Sequence, residues 1–195
     1  MKGFLGKKIG MTRLVDETTG KMLPVTLVEI GKQVVTDIKT LEKHGYQALQ
    51  ISAMPLKKST KTCKFKHVKE FRFKVDEKCD LNKNDAYGPE TLVVGSKIMV
   101  ASVSKGKGFT GRVRRFNQNC GPRAHGSKNY REMGATGCRK PKRTQKGWRM
   151  PGRMGNERVT VYNVPVLKVD VESGIVALKG GVAGAIGTFV EMKMI

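Results

Sequence analysis

Apolar and polar residues alternate over short stretches at both ends of the chain, and this pattern predicts β-strands. Residues 24–30 read PVTLVEI, where β-branched side chains alternate with polar ones as on a strand with one buried face. Similar stretches predict further strands at residues 34–41, 48–53, 97–103, 159–161, 164–169, 174–179 and 188–192. Short strands separated by Gly or Asp turns favour a small closed barrel.

The middle of the chain lacks this pattern and is expected to be inserted between barrel strands. Residues 61–90 carry charges of both signs and predict a short helix or irregular piece, then a strand near residues 71–75. We expect this α+β piece to be a small surface insertion. The predicted organisation is a β-barrel from residues 1–60, 91–104 and 159–195, the insertion 61–90, and a basic extension 105–158.

The extension is the most basic part of the chain. It holds sixteen Lys or Arg residues and two acids, Glu132 and Glu157, which is +14 of the formal net charge of +22. Its ten glycines and its scattered Pro and Asn residues argue against long helices or strands. Eight large apolar side chains are too few to offset the conformational entropy lost when this segment becomes ordered. We therefore expect a polyanion, most simply a nucleic-acid backbone, to order the extension.

Other classes of partner fit less well. The pI of about 10.1 admits a membrane surface, but the most apolar stretch, residues 174–190, is interrupted by Lys179 and rich in glycine. No basic amphipathic helix is visible. The first eleven residues contain no long apolar run, so we expect no secretion signal and an intracellular protein.

The cysteines do not predict a metal site. A zinc site could combine Cys63, His67 and Cys79 with Cys120 or His125, but these spacings match no common zinc module. The four cysteines, including Cys138, are more simply free thiols in a reducing compartment. We expect no metal and no cofactor.

Residues 106–111 spell G-x-G-x-x-G after a predicted strand. A dinucleotide site would need a helix to open here within a βαβ unit, and a kinase would need further motifs, whereas residues 112–126 contain breakers and no helical period. The glycines more simply allow backbone N–H groups to approach phosphates that neighbouring cations neutralise. Those cations are Lys105, Lys107, Arg112, Arg114 and Arg115.

A second basic cluster surrounds the only tryptophan. Residues 139–143 read RKPKR and precede Lys146, Trp148 and Arg149. Trp148 either stacks on an unpaired base or packs in a local turn, and the sequence leaves both open. His125 and Ser127 lack the orienting carboxylate of a catalytic pair, so RNA or backbone contacts suit His125 better and no enzyme is expected.

Six motifs together resemble the L-three family of large-subunit ribosomal proteins in its bacterial form. They follow the same order over almost the whole chain: GKKIGMTR at 6–13, PVTLVEI at 24–30, SKGKGFTGRVRR at 104–115, HGSKNYREMGATG at 125–137, RMPGRMGNERVTV at 149–161 and VALKGGVAGAIGT at 176–188.

The resemblance implies a six-stranded, translation-factor-like β-barrel at the surface of large-subunit rRNA. A long basic loop would run inward toward the peptidyl transferase centre, with its tip at residues 137–141. The implied role is structural, in early assembly, beside neighbouring ribosomal proteins in a cytoplasmic or organellar ribosome, with no membrane and no small-molecule substrate. The tip lacks the glutamine that many bacterial members methylate, Trp148 stands where a basic residue is usual, and Met99 where an acid or amide is usual.

The residues expected to bind rRNA are the extension's cations and a few polar or aromatic neighbours. They are Lys105, Lys107, Arg112, Arg114, Arg115, Arg123, His125, Ser127, Lys128, Arg131, Arg139, Lys140, Lys142, Arg143, Lys146, Trp148, Arg149, Arg153 and Arg158. The alternative is a free nucleic-acid-binding factor or RNA chaperone, which shares the electrostatics but normally binds through a folded surface.

Overall fold

The protein is mainly β, which confirms the predicted class. The computed structural model describes residues 3–16, 20–61, 64–73, 81–140 and 142–194. The chain divides into two compact units, one made of Met1–Ser104 with Arg158–Ile195 and the other of Lys105–Glu157. In the described part of the chain, no helix is long and apolar enough to span a bilayer.

The described residues contain twelve strands, two short α-helices and one 3-10 helix. The strands are β1 (Gly3–Val15), β2 (Met22–Glu29), β3 (Gln33–Lys39), β4 (Ala48–Pro55), β5 (Phe65–Arg72), β6 (Ala86–Tyr87), β7 (Lys97–Val103), β8 (Phe109–Thr110), β9 (Gly152–Arg153), β10 (Arg158–Asp170), β11 (Ile175–Lys179) and β12 (Phe189–Met194). The helices are α1 (Leu41–His44), the 3-10 helix Pro89–Thr91 and α2 (Arg112–Phe116).

Six strands of the first unit form a closed barrel in the order β1-β12-β7-β10-β11-β2. All neighbouring pairs are antiparallel, and β2 returns to β1, so each strand has two hydrogen-bonded partners. Each strand contributes fully or almost fully buried side chains to one apolar core. Examples are Phe4, Val28, Ile98, Val166, Leu178 and Met192.

A second sheet, ordered β5-β4-β3-β6, adds Val35, Leu49 and Ile51 to the same core. Two predictions are therefore wrong. Residues 33–55 belong to this sheet and not to the barrel, because alternation predicts a strand but not its partner. The helix or irregular piece expected at the start of the 61–90 insertion is strand β5, and the strand predicted at 71–75 overlaps only its end; residues 74–80 lie outside the described residues.

The two strands predicted at 159–161 and 164–169 are one continuous strand, β10. Its register against β7 shifts between Val161 and Val164, and Asn163 has φ +55° there. Such an irregularity bends a strand without ending it. Because β7 and β10 pair Val103 with Arg158, the extension leaves and re-enters the barrel at paired residues.

Lys8 is buried in strand β1 and fixes the loop that precedes β12. Its Nζ donates to the carbonyl oxygens of Val182, at 2.7 Å, and Gly184, at 3.2 Å. Its backbone N–H donates to the carbonyl of Thr188, and its carbonyl accepts from the N–H of Gly187. The GKKIGMTR and VALKGGVAGAIGT motifs therefore meet at this lysine.

A polar network joins strands β3 and β5 at the surface of the second sheet. Lys39 Nζ lies 2.6 Å from Glu70 Oε1, and the Tyr46 hydroxyl donates to Glu70 Oε2 at 3.0 Å. The hydrogen bond from Lys39 is the main reason that the pKa of Glu70 lies below its usual value. The same bond is the main reason that the pKa of Lys39 is raised.

Candidate nucleic-acid interface

The base of the basic unit, Lys105–Glu157, is a short antiparallel ladder. Lys107 N–H donates to the Met154 carbonyl and Met154 N–H to the Gly108 carbonyl, both at 2.9 Å. Strands β8 and β9 continue this pairing. Gly155 has φ +72°, and a side chain there would collide with the Lys105 carbonyl oxygen. The base therefore needs glycine at this position.

Helix α2 follows the G-x-G-x-x-G motif, in a stretch where the sequence shows breakers and no helical apolar period. The RVRRF stretch contains good helix formers, which are sufficient for little more than one turn before Asn117 ends the helix in the left-handed conformation. The next described strand, β9, pairs antiparallel with β8, so the described residues around the motif contain no βαβ unit. The motif is not part of a dinucleotide fold.

Arg115 makes contacts inside the extension that the sequence did not indicate. Its Nη1 donates to the Met150 carbonyl at 2.9 Å, and its guanidinium lies 5.0 Å from the Phe116 ring centroid. A Cβ at Gly152 would lie 2.6 Å from the same Nη1. Arg115 thus links helix α2 to the segment before β9. Only some of its N–H donors remain available for phosphate.

Tyr130 is a contact residue that sequence reasoning missed. The guanidinium of Arg123 lies 4.3 Å from its ring centroid and also hydrogen-bonds its hydroxyl, and that of Arg131 lies 5.5 Å away. The Gly121 N–H donates to the Tyr130 carbonyl at 2.8 Å. The Tyr130 ring therefore contacts two arginines that were predicted to bind RNA. In the sequence, the position of Tyr130 among basic residues was the only indication of this role.

The predicted site residues are almost all accessible. Of the nineteen, sixteen are exposed and Arg112, Arg115 and Ser127 are partly buried. Eighteen lie in the basic unit, whereas Arg158 lies on β10, where it pairs with Glu191. The exposed residues of the basic unit are Lys105, Lys107, Arg114, Arg123, His125, Lys128, Arg131, Arg139, Lys140, Lys142, Arg143, Lys146, Trp148, Arg149 and Arg153.

The positive charge of the basic unit is not neutralised within the described part of the chain. The ion pairs found there involve Lys39, Lys69, Lys83 and Arg158, and no Lys or Arg of the basic unit. Because like charges held close together repel one another, this surface has a strong electrostatic preference for a polyanion.

The predicted loop tip is partly described. Cys138 Sγ donates to the Lys140 carbonyl at 2.6 Å, and Lys142 N–H donates to the Arg139 carbonyl at 3.1 Å, while Pro141 lies outside the described residues. Cys63 and Cys79 of the zinc alternative also lie outside them. Cys120 and Cys138 are exposed free thiols, and within the described ranges no three His, Cys, Asp or Glu side chains cluster as metal ligands would.

Trp148 is 41% exposed and lines a cavity of about 430 Å³ inside the basic unit. Arg112, Gln118 and Arg149 line the same cavity, although they are distant in sequence. The structure thus brings together cations from the two basic clusters that the sequence treated separately.

Comparison with known proteins identifies the family. The family model described as Ribosomal protein L3 matches residues 86–179. The large ribosomal subunit protein uL3 of Exiguobacterium sibiricum is 39% identical over 205 residues, which cover 98% of this chain and 96% of that protein. The chain belongs to the ribosomal protein L3 family.

A second relative supports this membership over the full length. The large ribosomal subunit protein uL3 of Thermosipho africanus is 38% identical over 204 residues, which cover 99% of this chain and 98% of that protein. The resemblance based on six motifs is therefore confirmed. The prediction that the chain is not an enzyme is confirmed as well, because its relatives are named as ribosomal subunit proteins.

Proposed function

We propose that this protein is a structural constituent of the large ribosomal subunit and binds large-subunit rRNA through its basic unit. The observation that carries the proposal is the set of exposed Lys and Arg side chains of Lys105–Glu157, none of which has an acidic partner among the described residues. Each cation that neutralises a phosphate releases condensed counterions, and this release drives binding. Membership of the L3 family supports rRNA as the polyanion.

The two units take different parts in this role. The closed barrel, which we propose to be translation-factor-like, rests on the rRNA surface and contacts neighbouring ribosomal proteins. The extension runs toward the peptidyl transferase centre, where its cations pin rRNA helices during early assembly. Lysines supply point charges along this path, and arginines that keep free donors grip phosphates bidentately.

The site residues divide into two groups on this proposal. The exposed cations contact phosphate directly, whereas Arg115 mainly shapes the extension and Arg158 shares its charge with Glu191. Tyr130 orients Arg123 and Arg131 toward the RNA. Substitution of an exposed cation should therefore weaken RNA binding without changing the stability of the barrel.

The salt dependence of RNA binding tests the electrostatic part of the proposal. Six to ten phosphate contacts should weaken the affinity of the purified chain for an rRNA fragment by about 10³- to 10⁵-fold between roughly 50 and 200 mM salt. A flat response in a filter-binding or anisotropy titration would contradict RNA binding through the extension.

Sedimentation tests the ribosomal part. A tagged chain should co-sediment with large-subunit particles in a cell lysate and stay with them through a salt wash that removes loosely bound proteins. A chain that binds RNA with steep salt dependence but sediments apart from these particles would instead be a free RNA-binding factor or chaperone.

A further inference from the structure

The cavity beside Trp148 combines three kinds of group that recognise a nucleotide. Trp148 supplies an aromatic surface, Arg112 and Arg149 supply positive charge, and Gln118 supplies an amide. Its volume of about 430 Å³ lies within the roughly 300–1,000 Å³ typical of small-ligand pockets. Its lining contains no acidic side chain.

The local backbone presents Trp148 at the surface. Its N–H donates to the Gln145 carbonyl at 3.4 Å, and Gly147 has φ +80°, so residues 145–148 form a turn that ends in the tryptophan. Among the described residues its ring stacks on no other aromatic ring or cation. Because Trp148 is 41% exposed, its ring at the cavity wall suits an external partner better than packing.

The other walls of the cavity are held in place by contacts of their own. Arg112 begins helix α2, and the guanidinium of Arg149 lies 5.9 Å from the Phe116 ring centroid in the same helix. The backbone N–H of Gln118 donates to the Val113 carbonyl, but its side-chain Oε1 is buried and accepts no hydrogen bond from the described residues. A buried acceptor without a donor is costly, and rotation of the Gln118 side chain toward the cavity that it lines would let this oxygen accept from an amino group there.

We infer that this cavity binds one unpaired nucleotide flipped out of an RNA helix. The base stacks on Trp148 and gives an amino hydrogen to Gln118, while Arg112 and Arg149 bind its phosphates. The inference rests on the proposed function and adds a specific substrate to it, an extruded base rather than a helix backbone. Phosphate contacts alone would require neither the aromatic ring nor the buried amide oxygen.

The test compares RNA duplexes that differ only at one position. The purified full chain is titrated with an uninterrupted duplex, the same duplex with a single bulged adenosine, and one with an abasic bulge. We expect the bulged adenosine to bind about 5- to 150-fold more tightly than the uninterrupted duplex, from the stacking of one base on an aromatic ring. Because Trp148 is the only tryptophan, its fluorescence should be quenched by the bulged adenosine alone.

Variants assign the effect to the cavity. Trp148→Ala should abolish the preference for the bulge, Trp148→Phe should retain part of it, and Gln118→Leu should reduce it by about 2- to 12-fold, as for one hydrogen bond. Phe109→Ala is the matched control, because Phe109 is an exposed aromatic residue of the same unit and lies outside the cavity. The preference of Phe109→Ala for the bulged adenosine should equal that of the wild type.

The outcomes separate this inference from the proposed function. If all three duplexes bind equally, with steep salt dependence and unchanged Trp148 fluorescence, the proposed RNA binding is supported. The inference that the cavity binds a nucleotide is then wrong. If no duplex binds, the proposed function fails with it. Quenching of Trp148 by a glutamate-rich peptide as strong as that by the bulged RNA would also overturn the inference, in favour of a protein partner.

Discussion

Single residues show how a charged side chain can serve the fold. Lys8 lies within a basic motif and looks like a surface residue in the sequence, yet its Nζ is buried and donates to the carbonyls of Val182 and Gly184. Alternation along β1 places its neighbour Lys7 on the exposed side. Alternation does not say which of the two lysines is buried, because that depends on a loop more than 170 residues away.

Lys8→Met should lower the free energy of unfolding by about 1–3 kcal/mol, because buried carbonyl oxygens lose their donor. Chemical denaturation of the two proteins measures the difference. Lys7→Met is the control and should leave the unfolding midpoint nearly unchanged. Equal stability of the wild type and Lys8→Met would refute a structural role for the buried ammonium.

Glu70 gives the second sheet a predictable response to pH. Because its pKa is lowered in the folded state, its pairing with Lys39 stabilises the fold above the unfolded pKa of about 4.5 and is lost as the pH falls through the folded value. Because the pKa of Lys39 is raised, the corresponding contribution is lost only as the pH rises beyond about 10.5. Both groups are near the surface, so solvent screening keeps the effect small.

Glu70→Gln should therefore lower the melting temperature slightly at pH 7, and its difference from the wild type should shrink as the pH falls below about 4.5 and through the lower pKa of the folded state. Thermal melts across this range measure the change. Glu42→Gln changes an exposed acid outside the described ion pairs and should show no such trend. A Glu70→Gln difference that is constant at every pH would exclude the ion pair as its cause.

Elements were predictable where one face of a strand is apolar. Strand β7 has the bounds predicted from the sequence, since its alternation is regular and its apolar side chains face the core. Strand β5 was missed because seven of its eight residues are exposed or only partly buried polar and aromatic side chains. Partner choice was also beyond the sequence, so β3 and β4 were assigned to the wrong sheet.

The extension's candidate site was predictable in its charge but not in its internal contacts. The run of Lys and Arg residues predicted an exposed cationic surface, and the structure places most of them there. The bracing role of Arg115 and the ring of Tyr130 between two arginines depend on pairs of residues that the loop brings together. Sequence spacing alone does not indicate the role of Arg115.

Gly155→Ala should disrupt the base of the extension and leave the barrel intact. The left-handed conformation costs an alanine roughly 1–2 kcal/mol, and its Cβ would also collide with the Lys105 carbonyl oxygen. We expect faster cleavage of the extension in limited proteolysis and weaker RNA binding, with little change in barrel melting. Gly111→Ala is the control, because φ is −66° there and an added Cβ meets no atom within 4 Å. Identical cleavage rates for the two variants would contradict this role.

The whole molecule should tolerate removal of its extension. All six barrel strands lie outside residues 106–156, and β7 and β10 are already paired at Val103 and Arg158. A variant with a short glycine linker in place of 106–156 should unfold cooperatively and lose most of its affinity for RNA. Calorimetry that shows no cooperative transition would mean that the barrel depends on the extension.

RNA should change the dynamics of the basic unit more than those of the barrel. The extension has few backbone hydrogen bonds beyond its base ladder and carries repelling charges, so its amides should exchange rapidly in the free protein. Hydrogen exchange measured with and without an rRNA fragment should show protection gained across residues 105–157. Strong protection in the RNA-free protein would show that the unit orders itself.

The closure of the ring also fixes an order of events during translation. Strand β12 pairs with both β1 and β7. The first strand of the barrel, β1, therefore cannot complete its pairing until β12, the last strand, has been synthesised. The cationic segment between β7 and β10 is synthesised before β10, β11 and β12 exist. A newly made chain therefore presents its cationic extension while its barrel is still open, so on the proposed function rRNA would bind the extension before the barrel has closed.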